Sequence, residues 1–252
     1  MSNPIGGTPS RRFELRSFAD EKTLADSVAE CWISDLKKAG NSTYFAALSG
    51  GRIARRFFQS IAGGSSAVFG ILDRVHFFWA DERCVPPDHP ESNYGLARDH
   101  WFLPLKLSTE RIHRIRGELG GPEAAAEAEL DFKRLVPPGR DGRCILDMVF
   151  LGMGEDGHVA SLFPGEADGS LPSSAVYRMV QATKPPPVRI TLNYETIAAA
   201  RQVWVLASGP GKEVALQNSL SPEGATPLAK VLALRRQTVI FTDVRLPDLG
   251  NL

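Results

Sequence analysis

From residue 20 onward the apolar positions alternate between two spacings. Leu24, Val28, Trp32 and Leu36 recur every four residues and predict a helix over Asp20–Gly40. Asp20 can accept a first-turn N–H there, and Gly40 can end the helix. Thr43–Leu48 is short, apolar and aromatic, the pattern of a buried strand. Ser49-Gly50-Gly51 reads as a turn, and Ile53, Phe57, Phe58 and Ile61 mark the helix after it. The alternation continues with strands over Val75–Ala80, Ile145–Leu151, Val176–Gln181, Val188–Leu192, Gln202–Ala207 and Thr238–Thr242. Helices are predicted over Tyr94–Phe102, Pro122–Val136, Asn193–Arg201, Lys212–Leu220 and Pro227–Leu234. The first ten residues, rich in Ser, Gly, Pro and Asn, read as a loose tail.

Strands that alternate with helices imply an α/β fold, a mostly parallel central sheet with helices on both faces. Near-continuous apolar strands fit that class, because both faces of such a sheet are covered. No internal repeat or long linker interrupts the chain, so residues 1–252 are expected to form a single domain. In such sheets ligands sit beyond the carboxyl ends of the strands. Polar or Gly-rich residues directly after a strand are therefore the candidates for chemistry.

Composition narrows the class further. At 252 residues, 43% hydrophobic and 23% charged, the chain can bury a core without disulfides or a structural metal. Its 29 basic and 29 acidic residues balance, which argues against nucleic acid or an anionic membrane as the main partner. Cys31, Cys84 and Cys144 are far apart and form no Cys-x-x-Cys pair, as expected in a reducing compartment. No export signal is visible, and no apolar run approaches the ~18–20 residues of a membrane-spanning helix, so a cytoplasmic protein is expected. A monomer or weak homodimer is the expected state.

Four strand ends carry chemistry. Ser49-Gly50-Gly51-Arg52 follows the Thr43–Leu48 strand; its glycines allow a tight turn, and the next helix presents free N–H groups to an anion. Asp81-Glu82-Arg83 follows Val75–Ala80, and Arg83 can grip a phosphate or carboxylate with its planar fork. Gly152-Met153-Gly154-Glu155-Asp156-Gly157-His158 follows the strongest strand. Its Gly152-x-Gly154-x-x-Gly157 spacing has the form of a dinucleotide fingerprint. That fingerprint also needs an acid about 20 residues on, and Val176–Gln181 ends without one. An Asp-Gly-His turn suits proton transfer instead. An imidazole of pKa about 6.5 can take a proton from water, and a nearby carboxylate orients the ring. The fourth group is cationic: Lys184 and Arg189 flank the start of one strand, and Lys212 begins a helix after Gly209-Pro210-Gly211. No nucleophile elbow, phosphate loop or zinc-helix motif is present, and the five histidines lack metal-ligand spacing. What remains is a general base acting with neither metal nor cofactor on an anionic small molecule.

Taken together, these residues resemble the glucosamine-6-phosphate isomerase/6-phosphogluconolactonase family, from about Phe45 to the C-terminus. The resemblance is carried by Ser49-Gly50-Gly51, Trp79-Ala80-Asp81-Glu82-Arg83, His89-x-x-Ser92-x-Tyr94-Gly95 and Gly152-x-Gly154-x-Asp156-Gly157-His158-x-x-Ser161-Leu162-Phe163-Pro164. Lys184-Pro185-x-x-x-Arg189-Ile190-Thr191-Leu192 and Gly209-x-x-Lys212 complete it. The deaminase branch typically shows Asp-Glu-Tyr where this chain has Asp81-Glu82-Arg83, and Phe-Asn-Glu-Pro-Gly where it has Ser161–Gly165, so the lactonase branch is favoured. The resemblance implies a Rossmann-like fold and hydrolysis of 6-phospho-D-glucono-1,5-lactone in the oxidative pentose phosphate pathway. It implies His158 as general base supported by Asp156, with Arg83, Lys184, Arg189 and Lys212 on the phosphate or the developing oxyanion and Gly50 and Gly51 sharing the phosphate. Arg52 stands where relatives carry Ser or Thr, exchanging a hydroxyl for a charge. The rival readings are an amino-sugar phosphate deaminase-isomerase and a sugar-phosphate sensor without turnover.

Overall fold

A computed structural model of the chain describes residues 12–64, 69–166 and 175–246. The expected tail, residues 1–10, lies outside the described residues. Nine strands are found among those described. β1 (Phe13–Ser17), β2 (Tyr44–Leu48), β3 (Val75–Trp79), β5 (Met148–Gly152), β8 (Gln202–Ala207) and β9 (Thr238–Thr242) form one six-stranded sheet in the order β1-β9-β8-β5-β2-β3. All its pairings are parallel. β4 (Asp81–Arg83), β6 (Tyr177–Gln181) and β7 (Val188–Leu192) form a second, antiparallel sheet in the order β4-β7-β6.

The helices are α1 (Glu21–Lys38), α2 (Arg52–Ala62), α3 (Phe69–Leu72), α4 (Asn93–Ala97), α5 (Gly121–Leu135), α6 (Tyr194–Ala199), α7 (Glu213–Leu220) and α8 (Pro227–Leu234). Asp20 caps α1 through the Thr23 N–H at 2.7 Å, as its position before the apolar repeat predicted. α1 packs against α2, and α8 against both α6 and α7; for this strand order the right-handed rule for parallel crossovers puts the two groups on opposite faces of the large sheet. Between α1, α2 and the sheet, Trp32, Phe57, Phe77, Trp101 and Phe150 pack edge-to-face or tilted, with centroids 4.9–6.5 Å apart.

The structure departs from the sequence reading at several points. Phe13–Ser17 is a strand that the sequence reading did not single out: its alternation rests on Phe13 and Leu15 alone, a run of five residues beside the N-terminal tail. Val176–Gln181 and Val188–Leu192 are strands, but in the separate antiparallel sheet rather than the central one. Asp81–Arg83 is itself a strand: the chain leaves β3, passes Ala80 and pairs at once with β7. Tyr94–Phe102 divides into α4 and one wider turn of π-helix over Arg98–Phe102.

This layout positions the candidate site. β3 runs into β4 through a single residue, and Ala80 O accepts the Leu192 N–H at 2.7 Å, which seats the small sheet over the carboxyl edge of the large one. β2 leads toward β3 on one side, whereas β5 leads toward β8 on the other. The gap between the carboxyl ends of β2 and β5 is thus a topological switch point, where open α/β sheets bind ligands.

Candidate active site

A cleft of about 610 Å³ opens at that switch point. The structure brings all ten of the residues singled out from the sequence to its walls: Ser49, Gly50, Gly51, Arg52, Arg83, Asp156, His158, Lys184, Arg189 and Lys212. The parallel sheet explains this convergence, because it delivers every strand's carboxyl end to one edge.

The turn after β2 forms one wall. Gly51 is the residue before α2 and has φ +98°, a conformation that favours glycine. α2 begins with no side-chain cap, so its first N–H groups stay open at the cleft. The Ser49 hydroxyl is already engaged, donating to Phe150 O at 2.9 Å. Gly50 is required for space: a Cβ there would lie 1.8 Å from Asn93 Oδ1. Arg52 spreads its guanidinium over Gly209, where a Cβ would lie 1.9 Å from the nearer terminal nitrogen.

The turn after β5 holds the proton-transfer pair. His158 Nδ1 lies 2.6 Å from Asp156 Oδ1, and the same oxygen accepts the His158 backbone N–H at 3.1 Å. The ring lies flat against Gly154, whose absent Cβ would sit 2.1 Å from Cε1 and Nδ1. Burial raises the Asp156 carboxyl, but the two His158 contacts outweigh it and hold its pKa below the ordinary value. An ionised Asp156 keeps the proton on Nδ1 and leaves Nε2 as the acceptor toward the cleft. The Phe163 ring, 5.0 Å from the imidazole, closes the far side. Ala160, on the same loop, has φ +50°, an unusual conformation for a residue with a side chain and one that clusters at active sites.

Cations line the remaining walls. Arg83 on β4 and Arg189 on β7 are directly opposite one another in the antiparallel register. Like charges so placed repel. Glu91 offsets one of them, accepting from Arg83 through both its carboxylate (3.0 Å) and its backbone oxygen (2.7 Å). Arg189 is buried, donates to Pro186 O at 3.1 Å and lies over the Phe163 ring at 5.7 Å. Burial, then the Arg83 charge, lower its pKa. Lys212 is drawn down likewise, first by burial and then by Arg52. Lys184 is exposed at the rim.

Several residues of the site were not singled out in the sequence. Asp81 is buried and accepts from Ser161 Oγ at 2.7 Å and Asn93 Nδ2 at 3.3 Å. Asn93 wedges between Asp81 and Gly50. Asp243, directly after β9, accepts the Ser208 hydroxyl and the Gly209 N–H, both at 2.8 Å, and fixes the loop that presents Lys212. Asp243 follows a strand end, the signal used elsewhere. Nothing local marked Asn93. No group of three or more His, Cys, Asp or Glu residues arranged to hold a metal ion occurs among the described residues.

Comparison with known proteins gives a consistent picture. The family model described as glucosamine-6-phosphate isomerases/6-phosphogluconolactonase matches residues 19–241. A rice protein named probable 6-phosphogluconolactonase 4, chloroplastic (Oryza sativa subsp. indica) is 33% identical over 216 residues, covering 82% of this chain; the match spans 66% of the rice protein. The 6-phosphogluconolactonase of Haemophilus influenzae is 30% identical over 230 residues, covering 90% of this chain and 95% of its own. A solved structure of a 6-phosphogluconolactonase from Shewanella baltica superposes with a TM-score of 0.76 at 26% identity, covering 94% of this chain and 99% of that one.

Proposed function

The chain belongs to the glucosamine-6-phosphate isomerase/6-phosphogluconolactonase family, and from that premise we infer that it hydrolyses 6-phospho-D-glucono-1,5-lactone to 6-phosphogluconate in the pentose phosphate pathway. The observation that carries the mechanism is the His158–Asp156 pair, 2.6 Å apart, at a cleft walled by five cationic side chains. His158 Nε2 takes a proton from a water molecule as its oxygen attacks the C1 carbonyl. The tetrahedral oxyanion collapses, the bond from C1 to the ring oxygen breaks, and the imidazolium returns its proton to that oxygen. Asp156 stabilises the imidazolium while it exists.

The open N-terminus of α2, with Gly50 and Gly51 ahead of it, Arg52 and Lys212 together form the end suited to the phosphate. Arg83, Arg189 and Lys184 line the small-sheet side and oppose the remaining negative charge, including that of the oxyanion. A general base contributes about 10²–10⁴-fold, which suits an activated ester. The three free cysteines fit a reducing compartment and support a cytoplasmic location, although the rice relative is named as chloroplastic. No helix among the described residues is long and apolar enough to cross a membrane.

The test is a coupled assay. Glucose-6-phosphate dehydrogenase generates the lactone in place, and excess 6-phosphogluconate dehydrogenase reports the product. Wild type should accelerate hydrolysis above the spontaneous rate, and His158→Ala should lose about 10²–10⁴-fold in kcat while melting at the wild-type temperature. An active His158→Ala would remove the base from the mechanism; an inactive wild type would remove the function.

A further inference from the structure

Glu82 takes no part in the chemistry derived above, yet it is among the most deeply buried charged side chains described, at 2% exposure. It lies between Asp81 and Arg83 on β4, and strand alternation turns it away from the cleft those two line. No Lys, Arg or His lies within ion-pair distance of it among the described residues. Its partners are four donors. Oε1 accepts the N–H groups of Arg83 (2.8 Å) and Asn93 (2.7 Å); Oε2 accepts the Tyr94 N–H (2.8 Å) and the Ser92 hydroxyl (3.1 Å). A carboxylate buried without a counter-cation is costly even when well hydrogen-bonded. Burial pushes this one up to about 7 against the pull of the three N–H groups, with Asp81 adding to the rise.

What the carboxylate ties down is the segment from Glu91 to Tyr94, and that segment touches both halves of the cleft. Asn93 Nδ2 donates to Asp81 O at 2.8 Å, on the small sheet. Its Oδ1 fills the space a side chain on Gly50 would occupy, on the turn of the large sheet. Two residues earlier, Glu91 holds the Arg83 guanidinium. Displacing this segment would therefore free Arg83 and unseat the Gly50–Gly51 turn together. We propose that Glu82 is a positioning residue for the reaction: through Ser92, Asn93 and Tyr94 it locks the two anion-facing walls of the cleft, Arg83 and the Gly50–Gly51 turn, at a fixed separation. The proposal rests on the lactonase reading, since it concerns the same cleft.

The test compares wild type, Glu82→Gln, Asn93→Ala and the double variant. KM and kcat come from the coupled assay, the Kd of 6-phosphogluconate from calorimetry, and the folded fraction from thermal melts. Glu82→Gln replaces two acceptor lone pairs with donors facing N–H groups, so the segment must shift. KM and Kd should rise together by about tenfold or more in protein that is still folded at the assay temperature, because a shift of the order of 1 Å in binding groups has effects of that size. Asn93→Ala should reproduce much of the rise, and the double variant should be no worse than the more damaged single one, since both act through one linkage. Wild-type KM and Kd in folded Glu82→Gln, with activity falling only as the folded fraction falls, would overturn the proposal. Multiplicative effects in the double variant would overturn it too. Should Glu82→Gln not fold, Asn93→Ala decides: an unchanged Kd refutes the linkage. A wild type that neither turns over lactone nor binds 6-phosphogluconate defeats the functional reading and this proposal with it, whereas an active wild type beside unchanged variants defeats the proposal alone.

Discussion

Gly154→Ala leaves every titratable group of the site in place, and it should still disable the enzyme. The added methyl would lie 2.1 Å from both Cε1 and Nδ1 of His158 and 2.8 Å from Asp156 Oδ1. Carbon contacts settle at about 3.5–4.0 Å, so the ring must retreat by about 1.4 Å or more. It has somewhere to go, because the His158 side chain is 30% exposed and faces an open cleft. The rotation breaks the 2.6 Å contact with Asp156 and carries Nε2 away from the water it activates. A misplacement of about 1 Å costs about 10²-fold, so kcat should fall by that factor or more, about 2.7 kcal/mol in the barrier. Stability should hardly change. Gly154 has an ordinary backbone conformation, and a Gly-to-Ala change at such a site gains about 0.4–1 kcal/mol from the unfolded state, set against a modest cost of moving a half-exposed ring. The assay is kcat for the lactone beside a thermal melt. A variant within twofold of wild-type kcat would show that the ring position against Gly154 is not the reactive one.

Two other perturbations follow from buried charge. Lys212 is mostly buried, forms no ion pair among the described residues and is further disfavoured by Arg52, so Lys212→Met should raise KM by about tenfold while leaving the melting temperature unchanged or higher, since an apolar isostere of an unpaired buried charge is often neutral or stabilising; a large loss of stability would contradict this. At the β3 edge, His113 stacks on Phe78 and accepts or shares a proton with His76 at 2.8 Å, and burial, then the His76 charge, lower its pKa to about 4. A folded value below the unfolded one means that the unfolded state binds more protons, so stability is complete above about pH 6.5 and is lost as pH falls toward 4. The shift corresponds to about 3 kcal/mol, or about half that once solvent screening of a partly exposed ring is allowed for. Melts between pH 7 and 4.5 should show that slope in wild type and a flatter one in His113→Phe; parallel curves would place the acid lability elsewhere.

Much of this site was legible because of the fold class itself. In a parallel sheet the carboxyl ends of strands share one edge, so reading the residue after each apolar run amounts to reading the cleft wall. That is why Ser49–Arg52, Asp156, His158 and Lys212 could be gathered from positions more than 150 residues apart. The residues missed were those whose role depends on a partner far along the chain. Phe13–Ser17 alternates apolar and polar residues only through Phe13 and Leu15, too short a run to stand out, and it is a strand because β9, more than 200 residues on, pairs with it. Asp81-Glu82-Arg83 has poor strand propensity; pairing with Thr191, Ile190 and Arg189 makes it a strand. Of three consecutive charges, nothing local shows that the first two are buried and that the middle one faces away from the cleft. Three of the four donors that fix it, the Ser92 hydroxyl and the Asn93 and Tyr94 N–H groups, come from across a loop whose path is set by tertiary structure.

The distribution of unrelieved charge separates the cleft from the rest of the interior. Arg235 is as buried as Arg189, but the chain satisfies it: its guanidinium donates to the carbonyl oxygens of Ile197, Ala198 and Ala200 at 2.7–3.2 Å. These belong to the closing turn of α6, where the helix leaves carbonyls without partners. Such a cation serves the fold alone. At the cleft the pattern is the reverse. Arg83 and Arg189 oppose each other across a register in which either could have been an apolar residue, Arg83 leaves its buried Nε unpaired, and Lys212 sits beside Arg52. Each arrangement weakens the empty protein, and an anionic substrate offsets the like-charge pairs, because added negative charge turns mutual repulsion into shared attraction. Stability surrendered at one edge of the sheet, where the open end of α2 also points, is what a site selecting for a phosphorylated sugar acid derivative requires. Glu82 extends the same logic by one layer: its charge is also unpaired and also costly, and it holds in place the groups that the substrate's charge will satisfy.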